Sequence, residues 1–223
     1  MRNFLLTLLL GTMGLTLFAQ TPAPAPLVDT DYARAFRISL PAGGTADLAP
    51  ASGHFVVVPL AAADLTINAG PTEHLIAGQP LYLPPAEKQV VQNAGSVAAT
   101  AIVVEIKRHW EVPVRGCLGP ACARPIRIGD STIGETRTAY SNGFLTVFRH
   151  ELDRGGTLDS SYYAAEGVDR LVFVAVTDLA ADFDGVPANL LAGQPYAASP
   201  TQVEVNAAAG PAIWVVIRIH DRK

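Results

Sequence analysis

Apolar and polar positions along this chain either alternate or gather into short apolar blocks, and neither pattern has the 3.6-residue period of a helix. Ala35-Phe36-Arg37-Ile38-Ser39-Leu40 alternates, which predicts a half-buried strand. His54 to Val58 is a continuous β-branched run, Asp64 to Ile67 is a shorter strand, and Leu81-Tyr82-Leu83 is another, stopped by Pro84-Pro85. Gln89 to Asn93 and Thr100 to Lys107 close a first group of strands. A second group follows the same plan, from Phe144 to Phe148 through Leu171 to Val176 to Ile213 to Ile219. No segment combines a long helical period with caps. Short strands separated by Gly and Pro turns predict an all-β sandwich or jelly roll, and the Cys-Trp-Cys framework of an immunoglobulin-like sandwich is absent.

The pattern occurs twice. Leu40-Pro-Ala-Gly43-Gly44-Thr45-Ala-Asp47 returns as Leu152-Asp-Arg-Gly155-Gly156-Thr157-Leu-Asp159, and Leu75-Ile-Ala77-Gly78-Gln79-Pro80 returns as Leu190-Leu-Ala192-Gly193-Gln194-Pro195. The displacements are 112 and 115 residues in the same order, so one β unit is present twice. The expected units run from Tyr32 to Lys107 and from Phe144 to the C-terminus at Lys223, related by an approximate two-fold axis. Residues 108–143, rich in Gly, Pro and Arg, read as a linker.

Composition adds an address. Arg2 followed by an apolar stretch from Phe4 to Phe18 and by Ala19-Gln20 reads as a signal peptide over residues 1–19, too short for a stable span. The Pro/Ala-rich start of residues 20–31 predicts an extended tether. The expected location is therefore secreted or periplasmic. A formal net charge of −4 without basic clusters argues against nucleic acid and anionic membranes as partners. In an oxidising compartment Cys117 and Cys122, separated by a Gly119-Pro120 turn, are expected to form a disulfide. The alternative, a zinc pair, needs two further ligands, and His109 is the only histidine nearby.

Gly78-x5-Pro84-x-Ala86-x2-Gln89-x3-Asn93 has the spacing of the second motif of the cupins, with Ala86 in place of a glycine and Gln89 in place of a metal-binding histidine. The chain thus resembles a two-domain cupin from about residue 32 onward. The resemblance implies two double-stranded β-helix domains in tandem, each with a site for a metal held by three histidines and a carboxylate. In the first unit Asp47 to Pro50 occupy the histidine region and His54 lies near the glutamate position. In the second, Tyr162-Tyr163-Ala164-Ala165 fill the histidine region, Asp169 lies near the glutamate position, and Glu204 matches Gln89 by displacement from Gly193. Such sets lack the converging imidazoles that iron, manganese or zinc needs, which predicts no metal and no cofactor.

The candidate pocket residues are therefore His54, Gln89, Tyr162, Asp169 and Glu204. His54 is either a residual ligand or base, or a hydrogen-bonded residue at the core's edge; Gln89 either reads a ligand or fills the space of the lost histidine. Gln89 is expected to face His54 across the first barrel. Asp169 and Glu204 serve as an acid and base pair if both point inward, and otherwise lie on solvent faces. Two functional readings follow. One is an exported, metal-free, non-catalytic bicupin that binds a small molecule or has a structural role in the cell envelope, as a monomer with an internal pseudo-dimer or as a homodimer. The other is a dioxygenase or isomerase with an atypical carboxylate-rich site.

Overall fold

The computed structural model describes residues 24–50, 53–107, 123–128, 131–142, 144–159, 170–198, 203–207 and 209–220. They form strands and turns with no helix. In the first unit, β1 (Val28–Asp29), β2 (Ala33–Leu40), β4 (His54–Pro59), β7 (Leu81–Leu83) and β9 (Ala99–Ile106) make a five-stranded sheet in the order β1-β2-β9-β4-β7. A four-stranded sheet faces it, ordered β3-β8-β5-β6, from β3 (Thr45–Leu48), β5 (Ala63–Ile67), β6 (Thr72–Leu75) and β8 (Gln89–Asn93). The pairings are all antiparallel.

The second unit repeats the eight strands from β2 to β9 in the same order. Its large sheet contains β12 (Leu145–Leu152), β14 (Arg170–Ala175), β17 (Pro195–Ala198) and β19 (Ala212–Ile219) in the order β12-β19-β14-β17, the counterpart of β2-β9-β4-β7. Its small sheet, β13-β18-β15-β16, is built from β13 (Thr157–Leu158), β15 (Leu179–Phe183), β16 (Val186–Leu190) and β18 (Val203–Asn206). The repeated turns match in backbone as well. Gly43 and Gly155 have φ of 71° and 83°, and Gly78 and Gly193 have 69° and 76°, all in the left-handed region that glycine enters without steric cost.

Two stretches differ from the sequence reading. Val28 and Asp29, read as tether, pair with Ala35 and Arg34, so the chain joins the sheet before Tyr32. Residues 123–141, read as linker, include β10 (Ala123–Ile128) and β11 (Ser131–Ser141), which extend the second large sheet beyond β12. The Pro, Gly and Arg content of this segment hid a run of β-forming residues, Thr136-x-Thr138-x-Tyr140, whose pairing with β12 shifts register between Thr138 and Tyr140. Tertiary pairing overrides weak local propensity here.

Among the described residues three apolar clusters hold the fold. Phe36, Ile38, Leu40, Phe55, Val57, Leu65, Val91 and Val103 fill the first barrel. Leu152, Leu171, Phe173, Phe183, Val205, Trp214 and Val216 fill the second. The third cluster lies between the barrels, where Ala35, Val56, Val58, Ile102, Val104 and Ile106 meet Phe144, Val147, Val172, Val174, Val215 and Ile217. Each large sheet is thus buried on both faces, which explains its unbroken apolar runs. The small-sheet strands, with one face in solvent, alternate instead.

The interface carries a reciprocal clamp. Arg37 on β2 donates from Nη2 to the Gly193 carbonyl at 3.0 Å, and its counterpart Arg149 on β12 donates from Nε to the Ala77 carbonyl at 3.1 Å. Each arginine therefore grips the repeated Ala-Gly-Gln-Pro turn of the opposite barrel. Both turns are held by their own glutamine, which accepts from Ile76 N in one unit and from Leu191 N in the other. The duplicated motif joins the barrels and lies outside their interiors.

Candidate functional site

The register gathers the chemistry of the first barrel at one end of its interior. Arg34 on β2 lies opposite Glu105 on β9, Glu105 opposite Phe55 on β4, and Phe55 opposite Leu83 on β7. On the facing sheet Leu48 of β3 lies opposite Gln89 of β8. Alternation fixes which side chains enter: Gln89, Val91 and Asn93 are buried on one face of β8 while Val90 and Gln92 are not.

Gln89 is 1 % exposed, and its side-chain amide donates to the carbonyls of Gly53 at 2.8 Å and Pro84 at 3.1 Å. It ties the segment before β4 to the segment after β7. Glu105 pairs with the Arg34 guanidinium at 2.7 Å, and Arg34 also reaches the Ala49 carbonyl at 3.2 Å. The end of the barrel thus presents a bonded amide and a half-buried ion pair. The site residue Arg34 and its partner were not singled out from the sequence; the alternation of Arg34 with Phe36 and Ile38 carried that signal.

Asn93 closes the motif by a structural route. Its amide donates to the carbonyls of Leu40, Pro41 and Val97 at 3.0, 3.1 and 2.7 Å, and its side-chain oxygen accepts from Gly95 N at 3.0 Å. Because every partner of the amide is a carbonyl, Asn93→Asp should cost more than Asn93→Ala. We expect losses of about 2–4 kcal/mol for the aspartate variant, read by urea denaturation, and a smaller loss for alanine.

His54 corrects the expectation that it faces Gln89. It shares its side of β4 with Val56 and Val58, the face turned toward the second barrel. Its Nδ1 lies 2.5 Å from the Tyr82 hydroxyl, and its ring meets Phe144 edge-on at 4.8 Å. Burial, and then the neighbouring Tyr140, hold the Tyr82 hydroxyl well above the ordinary phenol range. One position decides the outcome, because neighbouring strand residues point to opposite faces.

Glu204 is likewise corrected. The turn contacts of Gly43 with Asn93 and of Gly155 with Ala207 make Asn93 and Ala207 equivalent, so Gln89 corresponds to Val203. The path from Gly193 to β18 is one residue shorter than that from Gly78 to β8, which turns Glu204 to the solvent face. An inward acid and base pair with Asp169 is thereby removed. Tyr162, Asp169, Cys117 and Cys122 lie outside the described residues.

His150 on β12, which the sequence reading did not single out, sits inside the second barrel at 1 % exposure. Its Nδ1 is 2.9 Å from Thr136 Oγ1 and its ring stacks on Trp214 at 4.9 Å. Burial, and secondarily the Arg149 cation, lower its pKa to about 3, so it is neutral at physiological pH. Its displacement of 112 from Ile38, an interior residue, was the available signal.

These donors do not fit the metal cage that the sequence resemblance implies. Gln89 directs its amide nitrogen at two carbonyls, its neighbour across the sheet is Leu48, and Val203 takes the equivalent place in the second barrel. Among the described residues no three His, Cys, Asp or Glu side chains converge.

No protein-family model and no curated protein matches the chain. Solved structures do. A putative glyoxylate-induced protein from Pseudomonas aeruginosa aligns at TM-score 0.62 and 12% identity over 86% of this chain and 75% of that one. A cupin 2 conserved barrel domain protein from Leptotrichia buccalis aligns at 0.52 and 10% over 86% of each. Oxalate decarboxylase of Bacillus subtilis, described with Mn(II) centres, aligns at 0.58 and 13% over 87% of this chain and 70% of that one. The fold is that of two cupin-type double-stranded β-helix domains in tandem.

Proposed function

We propose that this chain is an exported, metal-independent two-cupin protein that acts in the cell envelope by non-covalent binding or as a structural module, and not by catalysis. The observation that carries this reading is Gln89, which stands at the ligand position of the cupin motif with its amide engaged by the Gly53 and Pro84 carbonyls. An amide so held offers a metal at most a weak carbonyl donor. The solvent-facing Glu204 removes the carboxylate pair on which an enzymatic alternative rested.

Other features support the remaining parts. The N-terminal apolar stretch supports export, and a net charge of −4 without basic clusters disfavours nucleic acid. The apolar interface between the large sheets supports a monomer built as an internal pseudo-dimer. Cys117 and Cys122 would then be oxidised to each other; free thiols in periplasmic protein would reject that pairing. Among the described residues no helix is long and apolar enough to cross a membrane.

Metal content of the purified full chain tests the reading directly. We expect substoichiometric iron, manganese, zinc and nickel, and a near-stoichiometric metal that survives dialysis would overturn it. Gln89→His is expected to add no tight manganese or zinc binding in equilibrium dialysis, since one imidazole beside Leu48 completes no cage. Tight uptake by that single variant would reveal ligands that this reading denies.

A further inference from the structure

The pseudo-two-fold axis makes one pair of positions differ in chemistry. Where β14 begins, the Arg170 guanidinium lies over the ring of Tyr32 from the first unit, 5.6 Å from its centroid. At the equivalent place on the other side, where β4 begins, His54 meets Phe144 of the second unit. The strand next to β4 carries Tyr82 opposite Val56, whereas the strand next to β14 carries Ala197 opposite Val172. Tyr82, from β7 of the first barrel, sits with its hydroxyl 2.5 Å from His54 Nδ1, and its ring stacks on Tyr140 from β11 of the second barrel with centroids 4.0 Å apart and planes inclined by 24°.

We propose that Tyr82 and Tyr140 are an oxidisable pair that a peroxide-derived one-electron oxidant joins by a carbon–carbon bond, stapling the two barrels covalently. A phenol gives up an electron readily when its proton leaves at the same time. With its own proton on Nε2, His54 offers Nδ1 to that proton at hydrogen-bond distance, needing no diffusion. The resulting phenoxyl radical carries spin on its ortho carbons, and the partner ring is stacked on it with centroids 4.0 Å apart.

The balance is that of phenol coupling. Each ring loses one electron and one proton, the two ortho carbons form the new bond, and the two ortho hydrogens shift to oxygen as the rings regain aromaticity. Hydrogen peroxide, turned over by a haem peroxidase, takes up the two electrons and two protons and becomes two molecules of water. Both tyrosines are half-buried, so a small outer-sphere oxidant can reach them. Tyr196, in contrast, is stacked on Phe183 at the second barrel's own core, and Tyr32 lies under a guanidinium that cannot accept a proton. The pair therefore differs from these two in having both a base and an aromatic partner across the interface.

The test uses the full-length purified chain. Brief illumination with ruthenium tris-bipyridyl and persulfate, which supplies one-electron oxidation without a protein oxidant, is followed by digestion and mass spectrometry of the monomer fraction. We expect one dominant linked species joining the peptides that contain Tyr82 and Tyr140, lighter by two hydrogens than their sum. Tyr82→Phe and Tyr140→Phe each keep the stacked rings and should abolish that species, with the fold verified by thermal melting. His54→Gln removes the basic nitrogen and should slow linkage several-fold at neutral pH, the rate recovering as pH rises. Linkage through Tyr32 or Tyr196 at equal yield, or persistence of the product in Tyr140→Phe, would overturn the proposal; an unchanged rate in His54→Gln would overturn the part given to His54.

Discussion

The stability of this protein is expected to fall steeply as pH drops from about 6.5 toward 3, and His150→Ile should flatten that dependence. His150 lies neutral inside the second barrel, and its folded pKa is lowered to about 3 from the ordinary 6.5. A group depressed on folding binds protons more readily when unfolded, so its contribution to stability is complete above pH 6.5. It is lost as pH falls through the window down to about 3. One proton taken up on unfolding gives a slope of about 1.4 kcal/mol per pH unit, enough to remove a few kcal/mol across the window. Isoleucine is what the first barrel holds at the equivalent position, Ile38, so the variant is compatible with the fold. The measurement is urea denaturation at pH steps of wild type and variant. The difference between the two slopes isolates His150 from the carboxylates, and parallel slopes would mean that water reaches the imidazole.

Gly193→Ala is expected to destabilise by about 3–5 kcal/mol, several times the effect of Gly155→Ala. Both glycines have left-handed backbone, φ of 76° and 83°, so both substitutions bear the cost of placing a Cβ there. Their surroundings differ. A Cβ at Gly155 meets nothing within 4 Å, whereas at Gly193 it would stand 2.4 Å from Arg37 Nη2 and 2.7 Å from Leu60 Cδ1. The Arg37 guanidinium and the Leu60 methyl must then move aside, and the Arg37 hydrogen bond to the Gly193 carbonyl is lost. Subtracting the Gly155→Ala loss removes the backbone cost and leaves the value of the clamp. Thermal unfolding of the two variants reads this difference; equal losses would show that Arg37 can leave its carbonyl without consequence.

Much of the architecture was legible because duplication and periodicity are both local properties of the chain. Strand positions followed from alternation and from Gly and Pro turns, and the paired Gly43 and Gly155 turned out to occupy the same left-handed turn in each unit. The unbroken runs in β4, β9, β14 and β19 are buried on both faces because the second face packs on the other barrel. Less legible were β10 and β11, whose mixed composition becomes strand only when β12 offers its edge.

The site was harder to read, and His54 and Glu204 show why. In a strand one residue of displacement exchanges inside for outside, and no local feature marks a loop shortened by one residue. His54 borders the barrel by spacing and belongs to the interface by facing. Glu204 matches Gln89 by counting from Gly193, but the turn contacts place Val203 there.

What the sequence determined by itself was therefore the fold class and the two-fold repetition, since both are written in residue identity and spacing. Tertiary structure alone decided which face each side chain took and what each repeated motif touches. The Ala-Gly-Gln-Pro turns became the seats of Arg37 and Arg149, His150 became a neutral core residue, and Tyr82 came to lie against Tyr140. These are contacts between residues far apart in the chain, and they arise only once register and the apposition of the two large sheets are fixed, because side-chain chemistry depends on neighbours that local sequence does not specify.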